Sequence, residues 1–172
     1  YAYMALSFPS VTSDPITIEN MRFAHAFYAV FALNHGYITC RNVQVVNCWA
    51  GIGGGNVGMK VLNSLFVNTT YGVLGDNNQP IQVENCTFSA CTNAFYAVGS
   101  GEVRAANNIF ASVTSYGSYS SLTANYNGVY DSPALAQTNG FTAASSPFQI
   151  MGGGGYYLPT NSAWRNVGSA AI

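Results

Sequence analysis

The chain has 172 residues, of which 49% are hydrophobic, so it is long and apolar enough for one folded domain and is not a disordered chain. Only 6% of the residues are charged, the formal net charge is −1, and no run of lysines or arginines occurs. These features argue against a nucleic-acid partner and a basic membrane-binding segment, and no apolar stretch is long enough for a membrane span.

Residues 1–13 contain the apolar side chains Tyr3, Met4, Leu6 and Phe8 but no recognisable capping pattern. The sequence also begins without an initiator methionine or a signal peptide. We therefore expect a processed or excised part of a longer protein. Either further repeats precede Tyr1, or another subunit covers this end.

After this segment, the pattern apolar-x-apolar-x-Asn-x-x-apolar recurs along the chain. Its copies are "ITIENMRF" from Ile16, "ITCRNVQV" from Ile38, "MKVLNSLF" from Met59, "IQVENCTF" from Ile81, "VRAANNIF" from Val103 and a looser "LTANYNGV" from Leu122. The asparagines of the regular copies lie 21 or 22 residues apart, at Asn20, Asn42, Asn63, Asn85 and Asn107. A period of this size indicates a solenoid in which each repeat contacts only its neighbours.

The alternation before each Asn predicts a short half-buried strand, whereas no helical stripe is found. Each repeat has room for a strand, a tight Asn corner, a second strand and a return. Coils that stack at about 4.8 Å would place like residues on like. The five asparagines are predicted to form a structural ladder, because stacked amides can bond one another and Asn tolerates the left-handed backbone of a sharp corner.

A leucine-rich repeat is the main structural alternative, because it also has a period of about 20 to 29 residues and an Asn. In that repeat an LxxL precedes the Asn, which falls three residues after the second apolar position. Here the Asn falls two residues after that position, and Leu is scarce in the core columns. The pattern therefore favours a β-solenoid.

Over about residues 14–131, these columns resemble the right-handed parallel β-helix of the pectate-lyase-like superfamily. The resemblance implies an all-β fold of about six coils of ~22 residues, so we assign 1–131 to the coils, with an incomplete N-terminal coil. Residues 132–172 resemble the closing segment of secreted bacterial β-helix proteins. The matching positions are Pro147, Phe148, Gly154, Tyr156, Tyr157, Leu158, Ser162, Arg165 and Gly168. We expect this capping segment to cover the last coil, because an open sheet edge invites aggregation.

Charged residues concentrate on one predicted strand face. Glu19 and Arg41 share a column on adjacent coils, and Lys60 and Glu84 are diagonal neighbours. Cross-strand charge pairing is the favoured interpretation. The functional alternative is a carbohydrate groove with the substrate-binding candidates Arg41, Lys60, Glu84 and Arg104. The superfamily resemblance supports that alternative, since β-helix polysaccharide lyases use Lys or Arg on such a face to abstract a proton beside a uronate carboxylate, often with bound Ca²⁺.

The acidic residues do not fit an enzyme of this kind. A Ca²⁺ site needs clustered carboxylates, but the remaining acids are predicted to fall in different loops or ends: Asp14, Asp76, Glu102 and Asp131. A glycosidase pair would have to be Glu19 with Glu84, three coils or about 14 Å apart, which is too far. We therefore predict no catalytic residue.

The remaining candidates for chemistry have simpler explanations. His25 and His35 are predicted to be turn or surface residues, without a nucleophile or metal-ligand motif beside them. The glycine clusters "GIGGGN" at 51–56 and "MGGGG" at 151–155 lack the flanking residues of a phosphate loop, and tight turns are expected. The four cysteines lack metal-ligand spacing and are predicted to be small buried apolar residues: Cys40, Cys48, Cys86 and Cys91. No metal and no cofactor are expected.

Aromatic residues recur at similar coil positions, at Tyr28, Trp49, Tyr71 and Tyr96. If they face outward, they form a strip suited to stacking against sugars. If they face inward, they belong to the core. The sequence leaves this choice open, with packing the simpler expectation.

These observations lead to a prediction of a non-catalytic structural or adhesive module of a secreted bacterial surface or extracellular protein. The neutral polar surface fits an extracellular or cell-surface location. An extension is end-to-end stacking into fibres, with the chain itself or a cell-surface polysaccharide as partner. The alternatives are a fragment of a polysaccharide lyase or hydrolase and a carbohydrate-binding β-helix.

Overall fold

The fold is that of a computed structural model, which describes residues 2–9, 14–76, 78–99, 101–151, 154–165 and 168. Every regular element within these residues is a β-strand. In chain order they are β1 (Ala2–Phe8), β2 (Ile16–Glu19), β3 (Arg22–Ala24), β4 (Ala26–Leu33), β5 (Tyr37–Arg41), β6 (Gln44–Val46), β7 (Ala50–Gly55), β8 (Gly58–Leu62), β9 (Leu65–Val67), β10 (Tyr71–Asp76), β11 (Ile81–Glu84), β12 (Thr87–Ser89), β13 (Asn93–Ala97), β14 (Glu102–Ala106), β15 (Ile109–Ala111), β16 (Ser121–Asn125), β17 (Gly128–Tyr130), β18 (Phe141–Ala143), β19 (Gln149–Met151) and β20 (Gly154–Tyr157). No helix in this described part of the chain is long and apolar enough to cross a membrane.

The strands form three parallel sheets that run the length of a solenoid. Sheet A has the order β1-β4-β7-β10-β13, sheet B β16-β14-β11-β8-β5-β2, and sheet C β18-β17-β15-β12-β9-β6-β3. A complete coil contributes one strand to each sheet, in the order B, C, A, as β5, β6 and β7 do. This architecture confirms the predicted all-β solenoid of stacked coils.

The core is built from the columns that the repeat predicts. Ile38, Met59, Ile81 and Val103 occupy equivalent positions of sheet B and are fully buried. Opposite them, the ring of Phe88 in sheet C stacks between the rings of Phe66 and Phe110. The ring centroids are 4.8 Å apart for Phe88 and Phe66, and 5.4 Å apart for Phe88 and Phe110. Parallel stacking of identical coils therefore converts a sequence period into continuous rows of packed side chains.

The corners between sheets B and C are formed by the Asn column of the repeat. Asn20, Asn42, Asn63, Asn85 and Asn107 all have left-handed φ values between 50° and 57°. The amide of Asn42 also donates a hydrogen bond of 3.0 Å to Asn20 Oδ1. These corners need a residue that tolerates positive φ, and Asn does so at small cost.

The other two corners of each coil are left-handed as well. Between sheets A and B the corner residues include Asn34, Asn56 and Asn78, and between sheets C and A they include Asn47 and Asn68. The Asn68 amide donates to Asn47 Oδ1 at 2.7 Å. Only the column at the B–C corner was recognisable from the sequence pattern, although all three columns repeat with a period of 21 or 22 residues.

Directly after the B–C corner, a second column forms a hydrogen-bonded ladder inside the solenoid. The backbone N–H of Ser64 donates to Cys86 Sγ at 3.4 Å, that of Cys86 to Asn108 Oδ1 at 2.9 Å, and that of Asn108 to Asn127 Oδ1 at 2.9 Å. All four residues are buried. Each side chain accepts the N–H of the preceding coil, where the strand ladder is interrupted, so a buried donor is satisfied in every step.

Residues 51–55 of the "GIGGGN" cluster lie in strand β7 and do not form the predicted turn, and only Asn56 occupies a corner. Gly51, Gly53 and Gly55 are buried, and a Cβ atom at each would approach a neighbouring side chain to 2.8 Å or less. Gly53 lies under the Tyr28 ring and Gly51 against Phe66. Large side chains of the adjacent coil and sheet fill the space that side chains of β7 would need.

The C-terminal segment first extends the coils and then folds along their side. β18 pairs in parallel with β17 and so continues sheet C. β19 and β20 form an antiparallel hairpin, and Trp164 packs with Phe141 beside Gly128. Gly154 to Tyr157 lie against the outer face of sheet C, near Gln44 and Leu65. The tip of the "MGGGG" cluster lies outside the described residues.

Candidate functional site

The predicted groove residues Arg41, Lys60, Glu84 and Arg104 all lie in sheet B. Register places Lys60 beside Gln82 and Gln82 beside Arg104, whereas Arg41 and Glu84 belong to the neighbouring column. Two coils therefore separate Lys60 from Arg104, a distance of about 9.6 Å along the stack. The sheet aligns the candidates in two rows without bringing them to one point.

Arg41 and Glu19 form an ion pair of 3.2 Å across adjacent coils. Both side chains are largely exposed, at 47% and 40% of their surface. A pair of this kind contributes little to stability, about 0–1 kcal/mol. Its main consequence for the site is that a carboxylate already engages the Arg41 guanidinium.

Lys60 and Glu84 form no ion pair, although the sequence makes them diagonal neighbours. Glu84 is only 8% exposed, and it accepts a hydrogen bond from Gln82 Nε2 in its own strand. Among the described carboxylates, none lies within ion-pair distance of Lys60. The Glu84 carboxylate is therefore buried and bonded to Gln82 of the same strand, and it is not presented to an open groove.

Glu102 was expected in a loop or chain end, but it is the first residue of β14. Its two carboxylate oxygens accept hydrogen bonds from Arg104 Nε at 3.0 Å and from the Arg104 guanidinium at 3.1 Å. This bidentate contact lowers the pKa of Glu102 and raises that of Arg104. The alternation of strand residues accounts for the pair, because positions 102 and 104 share the outer face of the sheet.

A cavity of about 360 Å³ lies beside this pair on the outer face of sheet B. Tyr37, Pro80 and Gln82 form its other walls. The Tyr37 ring lies over Gly58, where a Cβ atom would be only 2.5 Å from it. Burial raises the pKa of Tyr37. Of the four predicted groove residues, only Arg104 lines this cavity.

A larger cluster of aromatic side chains lies on the outer face of sheet A. We call it the aromatic face; its members are Tyr3, Phe27, Tyr28, Phe31, Trp49, Tyr71 and Tyr96. Phe27 stacks in parallel with Trp49 at 4.3 Å between ring centroids, and Trp49 meets Tyr71 edge-on at 5.0 Å. Further contacts extend the cluster, from Tyr3 to Phe27 at 5.2 Å and from Tyr71 to Tyr96 at 5.1 Å. The face spans the five strands of sheet A, about 19 Å at the strand spacing.

The backbone of sheet A explains why these rings point outward. Val30, Ile52, Val73 and Phe95 fill the inward column and are fully buried. The residues one step earlier also face inward, since a Cβ atom at Gly51 or Gly72 would meet a core phenylalanine. Because the two consecutive positions 29 and 30 point inward, residues 27, 28 and 31 and their equivalents in other coils lie on the outer face of sheet A. This geometry answers the question that the sequence left open, and it adds Tyr3, Phe27 and Phe31 to the four aromatic residues noticed there.

The aromatic face is partly exposed and has polar residues along its edge. Its members are half-buried, apart from Tyr3, which is 68% exposed. A cavity of about 280 Å³ lies between Phe27, Trp49, Ala26 and Asn47. Burial is the main cause of the raised pKa of Tyr28. An apolar surface with the Asn47 side chain at its edge can stack against a ligand and hydrogen-bond to it.

The histidines and cysteines have structural contacts. His25 occupies a left-handed corner, and His35 lies buried in the turn between β4 and β5, with Nε2 3.2 Å from Phe8 O. The cysteines are free and buried, and burial raises the pKa of Cys40 and of Cys86 to about 12. The described residues contain no group of His, Cys, Asp and Glu that could hold a metal ion.

Comparison with known proteins agrees with this architecture. No curated protein and no solved structure matches the chain. A family model described as a right-handed β-helix region matches residues 10–134. That match covers β2 to β17 and so includes every strand of the three parallel sheets except β1 and β18. The chain therefore belongs to the right-handed β-helix family.

Proposed function

We propose that this chain is a non-catalytic adhesive module whose aromatic face binds an extended polysaccharide. The observation that carries the proposal is the outward row of aromatic rings in mutual contact, stacked or edge-on, across the strands of sheet A. Exposed apolar patches of this extent on a soluble fold usually mark an interaction site. A rigid sheet also holds the rings in place before a ligand arrives, which reduces the entropic cost of binding.

A polysaccharide suits this surface because each sugar has apolar C–H faces and a rim of hydroxyl groups. The C–H faces can pack on Trp49 and Phe27, and hydroxyl groups can bond to the amide of Asn47 at the edge. The row is about 19 Å long, which is longer than a single sugar ring. Since no Lys or Arg belongs to the aromatic face, a neutral polysaccharide is the expected partner.

The proposal places the module outside the cell, in a secreted or surface protein such as those of bacteria. Its support is the composition, because only 6% of the residues are charged and the polar surface is mostly neutral. Catalysis is not part of the proposal. Of the three candidate bases of a lyase on sheet B, Arg41 and Arg104 are engaged by Glu19 and Glu102, and Lys60 lies two coils away from Arg104.

Titration with a neutral oligosaccharide series and with polygalacturonate tests this function. Trp49→Ala should weaken binding of the neutral ligand at least tenfold, equivalent to about 1.4 kcal/mol. Tyr157→Ala is the matched control, because Tyr157 is an exposed aromatic residue against sheet C. Equal affinities of both variants for the neutral ligand would refute the assignment to the aromatic face, and no binding by the unmodified chain at millimolar ligand would refute the function.

End-to-end stacking is a second candidate, favoured by the sheet edges at the N-terminal end. Among the strands that the structure describes, β1, β2 and β3 are at the N-terminal edges of their sheets, and the half-buried side chains of Leu6, Phe8 and Ile16 pack against the core beneath them. A second copy that adds its β13, β16 and β18 to these edges would make a head-to-tail contact that propagates as a filament.

Sedimentation and electron microscopy of the native chain over a range of concentrations test the stacking. Leu6→Lys should shorten or abolish filaments, because it places a charge at the joining edge. Ile150→Lys serves as control, since Ile150 is 85% exposed on the hairpin. A single monomeric species at all concentrations would exclude self-assembly of this chain.

A further inference from the structure

A cleft of about 580 Å³ lies between the C-terminal hairpin and the outer face of sheet C. We call it the hairpin cleft; it is lined by Arg22, Gln44, Val46, Leu65, Val67 and residues 154–157. Its volume falls within the range of about 300–1,000 Å³ that is typical of small-molecule sites. The aromatic face and the cavity beside Arg104 share no residue with it.

The floor of the hairpin cleft is aliphatic. Val46 and Val67 are register partners on adjacent coils, and Leu65 lies two residues before Val67 in β9. All three are half-buried although they face away from the core. The outer face of a sheet is normally polar where it meets water. This apolar strip is an exception, and because its side chains remain half-exposed, the hairpin covers it only in part.

The opposite wall is formed by two tyrosines that other residues hold in place. Tyr156 packs edge-on against Phe148 at 5.4 Å between ring centroids. Tyr157 lies against Gly154, where a side chain would collide with its ring. Tyr156 and Tyr157 remain 37% and 53% exposed. Their rings can therefore contact a ligand that lies on the aliphatic floor.

One end of the cleft carries the positive charge of Arg22. No described carboxylate lies within ion-pair distance of Arg22, in contrast to Arg41 and Arg104. Gln44, the register partner of Arg22, adds an amide beside the guanidinium. A planar guanidinium at an open apolar cleft is suited to a carboxylate or sulfonate.

From these contacts we propose that the hairpin cleft binds a small amphiphile that carries one anionic group. The anionic group pairs with Arg22, and the apolar body lies on Leu65 and Val67 beneath the two tyrosines. The ligand class follows from this charge and floor, and a neutral sugar does not match it. The site is independent of the proposed polysaccharide function.

The test uses anilinonaphthalene sulfonate, which combines an aromatic body with a sulfonate, on the native full chain. We expect saturable binding at one site, with displacement by decanoate and not by decanol. Arg22→Gln should weaken binding about tenfold, whereas the control Arg165→Gln should leave it unchanged. Arg165 is an exposed arginine of the same tail and tests whether net charge alone explains the effect.

The dye can also bind to the aromatic face, so Trp49→Ala is measured in parallel. Loss of binding in Trp49→Ala without loss in Arg22→Gln would overturn the proposal. Equal weakening in Arg22→Gln and Arg165→Gln would also overturn it, since the effect would then be one of overall charge. Methyl NMR provides a readout besides affinity: decanoate should shift the signals of Val46, Leu65 and Val67 and leave those of Val30 unchanged. Failure to shift the floor signals contradicts the site even if the dye binds.

Discussion

Replacing Phe88 by alanine removes the middle ring of the phenylalanine stack in sheet C. Phe88 is fully buried, and it contacts Phe66 at 4.8 Å, Phe110 at 5.4 Å and Phe95 at 5.4 Å between ring centroids. A buried Phe→Ala change costs about 3–5 kcal/mol, and the cost rises with the cavity that remains. Backbone ladders hold the coils on both sides at the sheet spacing, so the site cannot collapse and we expect a loss near 5 kcal/mol.

Urea denaturation followed by circular dichroism measures this loss as a change in the free energy of unfolding. Phe31→Ala is the matched control, because Phe31 is half-buried on the aromatic face and should cost about 1 kcal/mol. The slope with urea also needs to be compared, since solenoids can unfold in more than one step. A loss below about 2 kcal/mol for Phe88→Ala, or one equal to that of Phe31→Ala, would show that the coils relax around the cavity and would refute the reasoning.

Three further predictions concern the left-handed corners, the hydrogen-bonded ladder inside the solenoid (the inner ladder) and the buried thiols. Ala90 has a φ of 52°, so Ala90→Gly should raise the free energy of unfolding by about 0.5–1 kcal/mol in thermal melts, and a decrease would contradict the cost assigned to this corner. Asn108→Ala should lower the free energy of unfolding by about 3 kcal/mol, measured by urea denaturation, because the Cys86 N–H and Val83 C=O lose their buried partner. A loss under about 1 kcal/mol would mean that water replaces the amide. Burial raises the thiol pKa of Cys40 and Cys86 to about 12 from a usual 9.0, so neither should react with a disulfide reagent at pH 8 until urea unfolds the chain. The unfolded thiols ionise first, so stability should fall as pH rises above about 9, and a flat profile from pH 8 to 11 would contradict the raised values.

The core could be predicted from the sequence because its columns repeat the same residue types. Positions such as Ile38, Met59 and Ile81 keep one size and polarity in every coil, so the period alone places them. The corner between sheets C and A escaped notice because its residues vary, from Asn47 and Asn68 to Ala90 and Ser112. A left-handed corner constrains the backbone rather than the chemistry of the side chain, and several residue types satisfy it.

The orientation of the aromatic residues was not predictable for a different reason. Strict alternation would assign Tyr28 and Val30 to the same face, but Ala29 and Val30 both point into the core. At the equivalent positions Gly51 and Gly72, the core rings of Phe66 and Phe88 occupy the space that a side chain would need. The break in alternation depends on contacts between sheets, which a single strand sequence does not specify. The same dependence explains why the glycines of β7 resembled a turn.

The inner ladder allows the solenoid to be lengthened by adding whole coils. Each step, such as the Cys86 N–H bonding to Asn108, requires only that the next coil offer an acceptor at the same position. Duplication of one period would therefore join to both neighbours without a new kind of junction, whereas insertion of a single residue would leave buried donors without partners. Each added coil would lengthen the aromatic face by about 4.8 Å. If the aromatic face binds a polysaccharide as proposed, the length of polymer bound would then depend on the number of coils.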